Sequence, residues 1–201
     1  MDIIMALCLG ISLSAACGFR VFIPPLALSI AAHGDLVQLS TDWEWVGSYP
    51  ALITLGIAAT VEVLAYFIPW VSNMLDSAEI ALAPIMGMFV TASSLSTAGE
   101  FNPVIVWTVA AIAGGGAAET VEVTTSLTRL VASGATGGMG GPVVSFVEAA
   151  SSIVMSILAI SVPILAIFLV LFLIIYGGRK ILRFISKRKR RREMKGIVDE
   201  R

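Results

Sequence analysis

Apolar residues run along this chain in stretches too long for an ordinary soluble helix. A bilayer core about 30 Å thick takes about 20 apolar residues at 1.5 Å each. Five stretches reach that scale: Ile3 to Ala32, Pro50 to Trp70, Ile80 to Ala98, Val104 to about Leu130, and Pro142 to Gly177, with a short connection between the second and third. The first and last are over-long. The first, 30 residues, is interrupted around Gly18, Arg20, Pro24 and Pro25. The last, 36 residues and roughly 54 Å as one helix, carries Pro163 near its centre. Its pattern divides into a half-helix from Val143 to about Ser156 and a full span from about Ile157 to Tyr176. The expectation is an all-α polytopic membrane bundle of five to six spans with broken or re-entrant helices.

Composition agrees. Of 201 residues, 57% are hydrophobic and 13% charged, about half the charged share of soluble domains. Charge is also segregated. Residues 1–178 hold two bases against eleven acids, net −9, and residues 179–201 hold eleven bases against three acids, net +8. The chain therefore reads as a transmembrane domain, 1–178, and a basic tail, 179–201. Basic residues beside a span stay cytoplasmic, which predicts a cytoplasmic C-terminus in a multi-pass cell-membrane protein. Arg179, Lys180, Arg183, Lys187 and Arg188 are placed to meet anionic lipid headgroups. Beside a span this reading outweighs nucleic-acid binding. The start has no basic n-region, so the first segment reads as retained rather than as a cleaved signal.

The link "HGDLVQLSTDWEWVGSYP" combines Trp43, Trp45 and Tyr49 with Asp35, Asp42 and Glu44, a mixture suited to the headgroup region on the non-cytoplasmic side. An aromatic binding lip is the functional alternative. His33, the single histidine, reads as a loop residue, and Cys8 and Cys17 as buried thiols with no metal-ligand spacing. No cofactor is implied.

Ionised groups at membrane depth cost at least about 2.5 to 3.5 kcal/mol each, so they face protein, water or a partner. The candidates are Arg20, Glu62, Glu119, Glu122, Arg129 and Glu148. Helical spacing groups them into stripes: Glu119, Glu122, Ser126 and Arg129; Ser145, Glu148, Ser152 and Ser156; and Thr54, Ala58, Glu62, Tyr66 and Asn73. Arg20 with Glu62, or Arg129 with Glu148, are the natural ion pairs. The charges coincide with backbone breaks at Gly18, Pro24 and Pro25, and at "SGATGGMGGP", Ser133 to Pro142. A glycine-rich turn before a helix starting at Val143 would offer backbone N–H groups, including those near Gly137, to an anion. It lacks the spacing and Lys of a P-loop.

Small residues recur at Gly10, Ser14 and Gly18, at Ala83, Gly87 and Thr91, and through Ala110 to Ala118, marking close helix contact within the chain or in a homo-oligomer. "GIAATVEV" from Gly56 echoes "GAAETVEV" from Gly116 with six identities in eight, which suggests an internal repeat of the kind found in transporters.

The segments "SAACGFRVFIPPLAL", "VEVLAYFIPWVSNMLDS" and "TRLVASGATGGMGGPVVSFVEAASS" resemble a family of prokaryotic membrane proteins known as domain of unknown function 4126, over about residues 10 to 170. The resemblance implies emphasis on Gly18, Arg20, Pro24, Glu62, Pro69, Asp76, Arg129, Thr136, Gly137, Pro142 and Glu148. Asn73 stands where the family often has an acid, which weakens a paired-carboxylate cation site there. The family brings no activity. The residues themselves point to a channel or transporter of a small ion or anionic solute, with a site of Arg20, Glu62, Glu122, Arg129, Gly137 and Glu148. A non-transporting scaffold or lipid-binding protein with structural ion pairs is the alternative. An intramembrane enzyme has less support, having one His and no metalloprotease motif.

Overall fold

A computed structural model describes residues 2–99, 101–136, 140–176 and 179. It is helical, with no strand among the described residues: α1 (Ile3–Cys17), α2 (Ile23–His33), a 3₁₀ segment (Thr41–Gly47), α3 (Tyr49–Ala65), α4 (Pro69–Leu95), α5 (Pro103–Val109), a π-helical segment (Ala110–Gly115), α6 (Gly116–Thr136), α7 (Gly140–Ser161) and α8 (Pro163–Tyr176). Among the described residues, three helical stretches are long and apolar enough to cross a membrane, Trp70–Ala98, Pro103–Ala132 and Val143–Ser161. A fourth arises if Thr41–Gly47 and Tyr49–Ala65, bent by 55°, act as one span.

Prolines set the helix starts. Seven of the eight lie in a first turn, at positions 24 and 25 of α2, 50 of α3, 69 of α4, 103 of α5, 142 of α7 and 163 of α8; Pro84 lies inside α4. A first-turn residue has no intrahelical acceptor for its N–H, so proline costs nothing there and presets φ. Ser48 Oγ, accepting from Ala51 N at 3.4 Å, and Asn102 Oδ1, accepting from Val104 N at 2.9 Å, cap α3 and α5 beside their prolines. Pro24, Pro25 and Pro142 are thus helix starts rather than the breaks expected of them. The interruption after α1 lies at 18–22.

Other boundaries shift for related reasons. The connection expected before Ile80 is helical from Pro69 onward, because Ser72, Asp76 and Glu79 share the helical period of the apolar residues after them. The glycine-rich stretch is shorter than expected: α6 runs to Thr136 and α7 starts at Gly140 rather than Val143. Gly137 lies outside the described residues, as do Lys180, Arg183, Lys187 and Arg188 of the tail. The last apolar stretch divides at Val162, not near Ser156, since Pro163 has no N–H to continue the ladder. α8 then folds back along α7, for Ile174 and Tyr176 share a groove with Val143 and Val147.

The core is built on small residues. α1 and α4 run antiparallel: Ser14 Oγ donates to Gly87 O at 2.5 Å and shares a hydrogen bond with Thr91 Oγ1 at 2.7 Å. A Cβ on Gly10 would lie 3.0 Å from Thr91 Cα, and one on Gly87 would lie 2.8 Å from Ala118 Cβ. The small-residue motifs of the first, third and fourth segments therefore pack on one another inside one chain. α1 and α2 form a hairpin whose open end faces the C-terminal end of α4: Gly10 abuts Ser94, and Ser40 N donates to Ser96 Oγ at 3.3 Å. Outside this core the helices present large apolar side chains such as Ile57, Trp70, Ile112 and Phe146, consistent with a multi-pass membrane protein.

Candidate functional site

The turn between α1 and α2 is the centre of the site, and three helices are tied to it. Two hydroxyls from elsewhere bond the carbonyls at the end of α1: Ser152 Oγ donates to Ala16 O at 3.1 Å, which also accepts from Phe19 N and Arg20 N, and Thr125 Oγ1 donates to Gly18 O at 3.2 Å. α2 begins with free amides, which the Glu62 carboxylate accepts, Val21 N at 2.6 Å and Phe22 N at 3.1 Å. Gly18 is required by close approach, since a Cβ there would lie 2.7 Å from Val121 Cβ and 2.8 Å from Glu122 N. The polar backbone groups of the turn are thereby bonded by side chains of α3, α6 and α7.

Arg20, 1% exposed, projects from this turn into the bundle. Its Nη2 donates to Ser145 O at 3.1 Å and lies 3.5 Å from Glu148 Oε2, while Nη1 lies 3.7 Å from Glu79 Oε1. Arg129 reaches the same place from α6, with Nη2 2.5 Å from Glu148 Oε2 and Nη1 donating to Tyr66 Oη at 2.9 Å and to Asp76 Oδ1. Glu148 therefore bridges two guanidiniums. Tyr66 collects the rest: its Oη is 2.5 Å from Glu79 Oε2 and 2.8 Å from Asp76 Oδ1. Both guanidinium carbons lie over its ring, at 3.7 Å for Arg20 and 4.6 Å for Arg129. Glu122, fully buried, accepts from Ser126 Oγ at 2.7 Å.

Several atoms in this cluster are unpartnered. Among the described residues, Arg20 Nε and Nη1, Arg129 Nε, Glu79 Oε1, Glu122 Oε2, Glu148 Oε1 and Ser145 Oγ are buried without a hydrogen bond. Buried polar groups rarely remain so, and the hydrogen bonding of the cluster is incomplete within the chain. No group of three or more His, Cys, Asp or Glu among the described residues has the arrangement to hold a metal ion. On the outer side Glu148 also lines a groove of about 340 Å³ between α6, α7 and α8, whose walls include Val121, Thr124, Val147, Ser151 and Ile174.

The structure unites five of the residues singled out from sequence, Arg20, Glu62, Glu122, Arg129 and Glu148. The stripe on α7 is buried as its spacing implied, with Ser145, Glu148, Ser152 and Ser156 all inside, whereas on α6 Glu122 and Arg129 are buried and Glu119 and Ser126 only partly so. On α3 the stripe holds only from Glu62 to Tyr66, because Thr54 faces outward, and the Asn73 side chain lies outside the described residues. Arg129 pairs with Glu148, but Arg20 does not take Glu62, whose oxygens are engaged by backbone amides. Glu79 is absent from the residues that the sequence singles out, because it and Asp76 fall in the polar stretch 71–79 between two apolar runs. The spacing of Ser72, Asp76, Glu79 and Ala83 at four, three and four was the available signal. Trp43 packs edge-on to Phe89 at 5.2 Å, and His33 ends α2 with Nδ1 2.8 Å from Gly47 O.

The family model described as domain of unknown function (DUF4126) matches residues 7–182, and the chain belongs to that family. No curated protein and no solved structure matches the chain.

Proposed function

We propose that this family member moves a small cation, the proton included, across the membrane through the buried cluster around Arg20. The supporting observation is an excess of acid in a closed space. Five carboxyl groups, Glu62, Asp76, Glu79, Glu122 and Glu148, converge on two guanidiniums, and Glu79, Glu122 and Glu148 each keep an oxygen without a hydrogen bond, that of Glu79 lying 3.7 Å from Arg20 Nη1. Three carboxyls beyond the two counter-cations are tolerated at membrane depth only with positive charge or water beside them. An anionic solute is less well supported, since carboxylates and the Tyr66 ring already engage both guanidiniums.

In this reading the chain crosses the cell membrane five times: the 3₁₀ segment with α3, then α4, α5 through α6, α7, and α8, with α1 and α2 as a re-entrant hairpin. The basic tail holds the C-terminus in the cytoplasm and contacts anionic headgroups, which puts the aromatic link outside. Glu62 and Glu122, the acids of the two sequence echoes, both abut the α1–α2 turn from different helices, in keeping with a duplicated half.

Flux of H⁺, Na⁺ and K⁺ into proteoliposomes, under a pH gradient and a voltage, tests this. Wild type should carry at least one of them, and Glu79→Gln and Glu148→Gln should each lower the rate at least about tenfold while remaining inserted and monodisperse. An ion-tight wild type, or variants equal to it, would overturn the pathway. The second reading, a scaffold, rests on Arg129 tying α6 to α4 and α7 through Asp76 and Glu148, and it predicts the ion-tight outcome.

A further inference from the structure

At the C-terminal end of α4, about 15 Å along the helix from Glu79 to Phe89, the 33–49 link and the start of α5 border a half-open recess of about 680 Å³. Its walls include Trp43, Trp45, Phe89, Phe101 and Trp107, with Asp42 as its carboxylate. The rings are tilted rather than stacked: Trp43 meets Phe89 at 66°, Trp45 meets Phe89 at 56°, and Trp43 meets Trp107 at 46°. Tilted contacts hold the rings in place without one face covering another. Trp45 and Trp107 remain 56% and 46% exposed.

Charge narrows what such a recess accepts. Asp35, Asp42 and Glu44 lie on the link, and the Lys and Arg among the described residues are Arg20, Arg129 and Arg179, none of which lines the recess. An anion would meet a carboxylate and the negative faces of indole rings, whereas a cation is attracted by both. A small hydrated metal ion gains little from aromatic walls. An alkylated ammonium matches them, presenting apolar methyl surface that carries positive charge. Headgroup anchoring by tryptophan needs no shared recess and no carboxylate, so it leaves the convergence of three indoles and Asp42 on one recess unaccounted for.

We propose that this recess binds an organic ammonium group, held by the faces of Trp43, Trp45 and Trp107 and neutralised by Asp42. The proposal stands independently of the ion pathway, which uses other residues. The test uses the full chain in phosphatidylglycerol nanodiscs, titrated with choline and with its uncharged isostere 3,3-dimethylbutan-1-ol, followed by tryptophan fluorescence and calorimetry. Choline should saturate one site, and the isostere should bind about tenfold or more weakly. Asp42→Asn and Trp107→Leu should each weaken choline about tenfold, while Trp107→Phe keeps an aromatic face and most of the affinity. Absence of saturable choline binding, equal binding of the isostere, or choline affinity unchanged in Asp42→Asn would overturn the proposal. Asp42 is exposed, so its amide variant folds and keeps the test decisive if Trp107→Leu does not. Repeating the titration in phosphatidylcholine discs assigns the source: a lost choline signal identifies a lipid headgroup as occupant and a retained one a free solute, and both support the site.

Discussion

Removing Arg129 should reveal how the cluster is held together. Its side chain is 6% exposed and that of Glu148 4%, and their charged atoms are 2.5 Å apart. Breaking a buried pair from one side costs about 3–5 kcal/mol, mostly because the abandoned charge is left without water or counterion. Here two features place Arg129→Met near the lower figure. Glu148 keeps Arg20 Nη2 at 3.5 Å, and Asp76, whose side chain is 31% exposed, can recover solvent. Glu148→Gln should cost less, about 1.5–3 kcal/mol, since Arg129 still has Asp76 and Tyr66. The double variant removes both charges, so it should be more stable than the sum of the single losses implies, with a coupling of about 1–2 kcal/mol. Reversible unfolding in mixed micelles, titrated with dodecyl sulfate and followed by tryptophan fluorescence, measures all four corners of the cycle. A coupling within about 0.3 kcal/mol of zero, the range of independent sites, would refute direct pairing and with it the bridging role of Glu148.

Other consequences are equally open to measurement. Glu62→Leu leaves the Val21 and Phe22 amides buried without an acceptor and should destabilise by about 2–5 kcal/mol; unchanged hydrogen-exchange protection of those two amides would refute the cap. Gly87→Val forces side-chain atoms against Ala118 and Gly114 O, so a loss of at least about 1–3 kcal/mol is expected, and wild-type stability would exclude the close α4–α6 contact. Cysteines at Val147 and Ile174, which share a groove, should cross-link with a short bifunctional maleimide; in one continuous helix they would be about 40 Å apart and would not react together. A cysteine at Lys187 should be labelled by an impermeant reagent only from the cytoplasmic side, and one at Asp42 only from outside; the reverse pattern would refute the orientation.

Much of this architecture is legible from residue type and order. Hydrocarbon admits backbone only where its polar groups are internally paired, so long apolar runs required helices whatever their partners. The same constraint made Arg20, Glu62, Glu122, Arg129 and Glu148 conspicuous. Period 3.6 placed Glu148 with Ser145, Ser152 and Ser156 on one buried face of α7, a local property that survives folding. Prolines were visible too, but their meaning was not local: the same residue breaks a helix in its interior and starts one in its first turn, and only the neighbouring chain decides which.

What the sequence determined by itself was the solvent, the helical class and the identity of the residues that water-free surroundings would isolate. What tertiary structure decided was who answers whom. Glu62 turned to backbone amides because the α1–α2 turn places two of them within 3.1 Å, leaving Arg20 to Glu79 and Glu148. Glu79 and Asp76 joined the cluster because α4 begins a full three turns before its strongly apolar part, which brings a polar stretch into the bundle beside Tyr66 at the end of α3. Pairing depends on distances across helices tens of residues apart in sequence, and those distances are fixed by small side chains at Gly10, Ser14, Gly18 and Gly87, which set how closely α1, α4 and α6 approach.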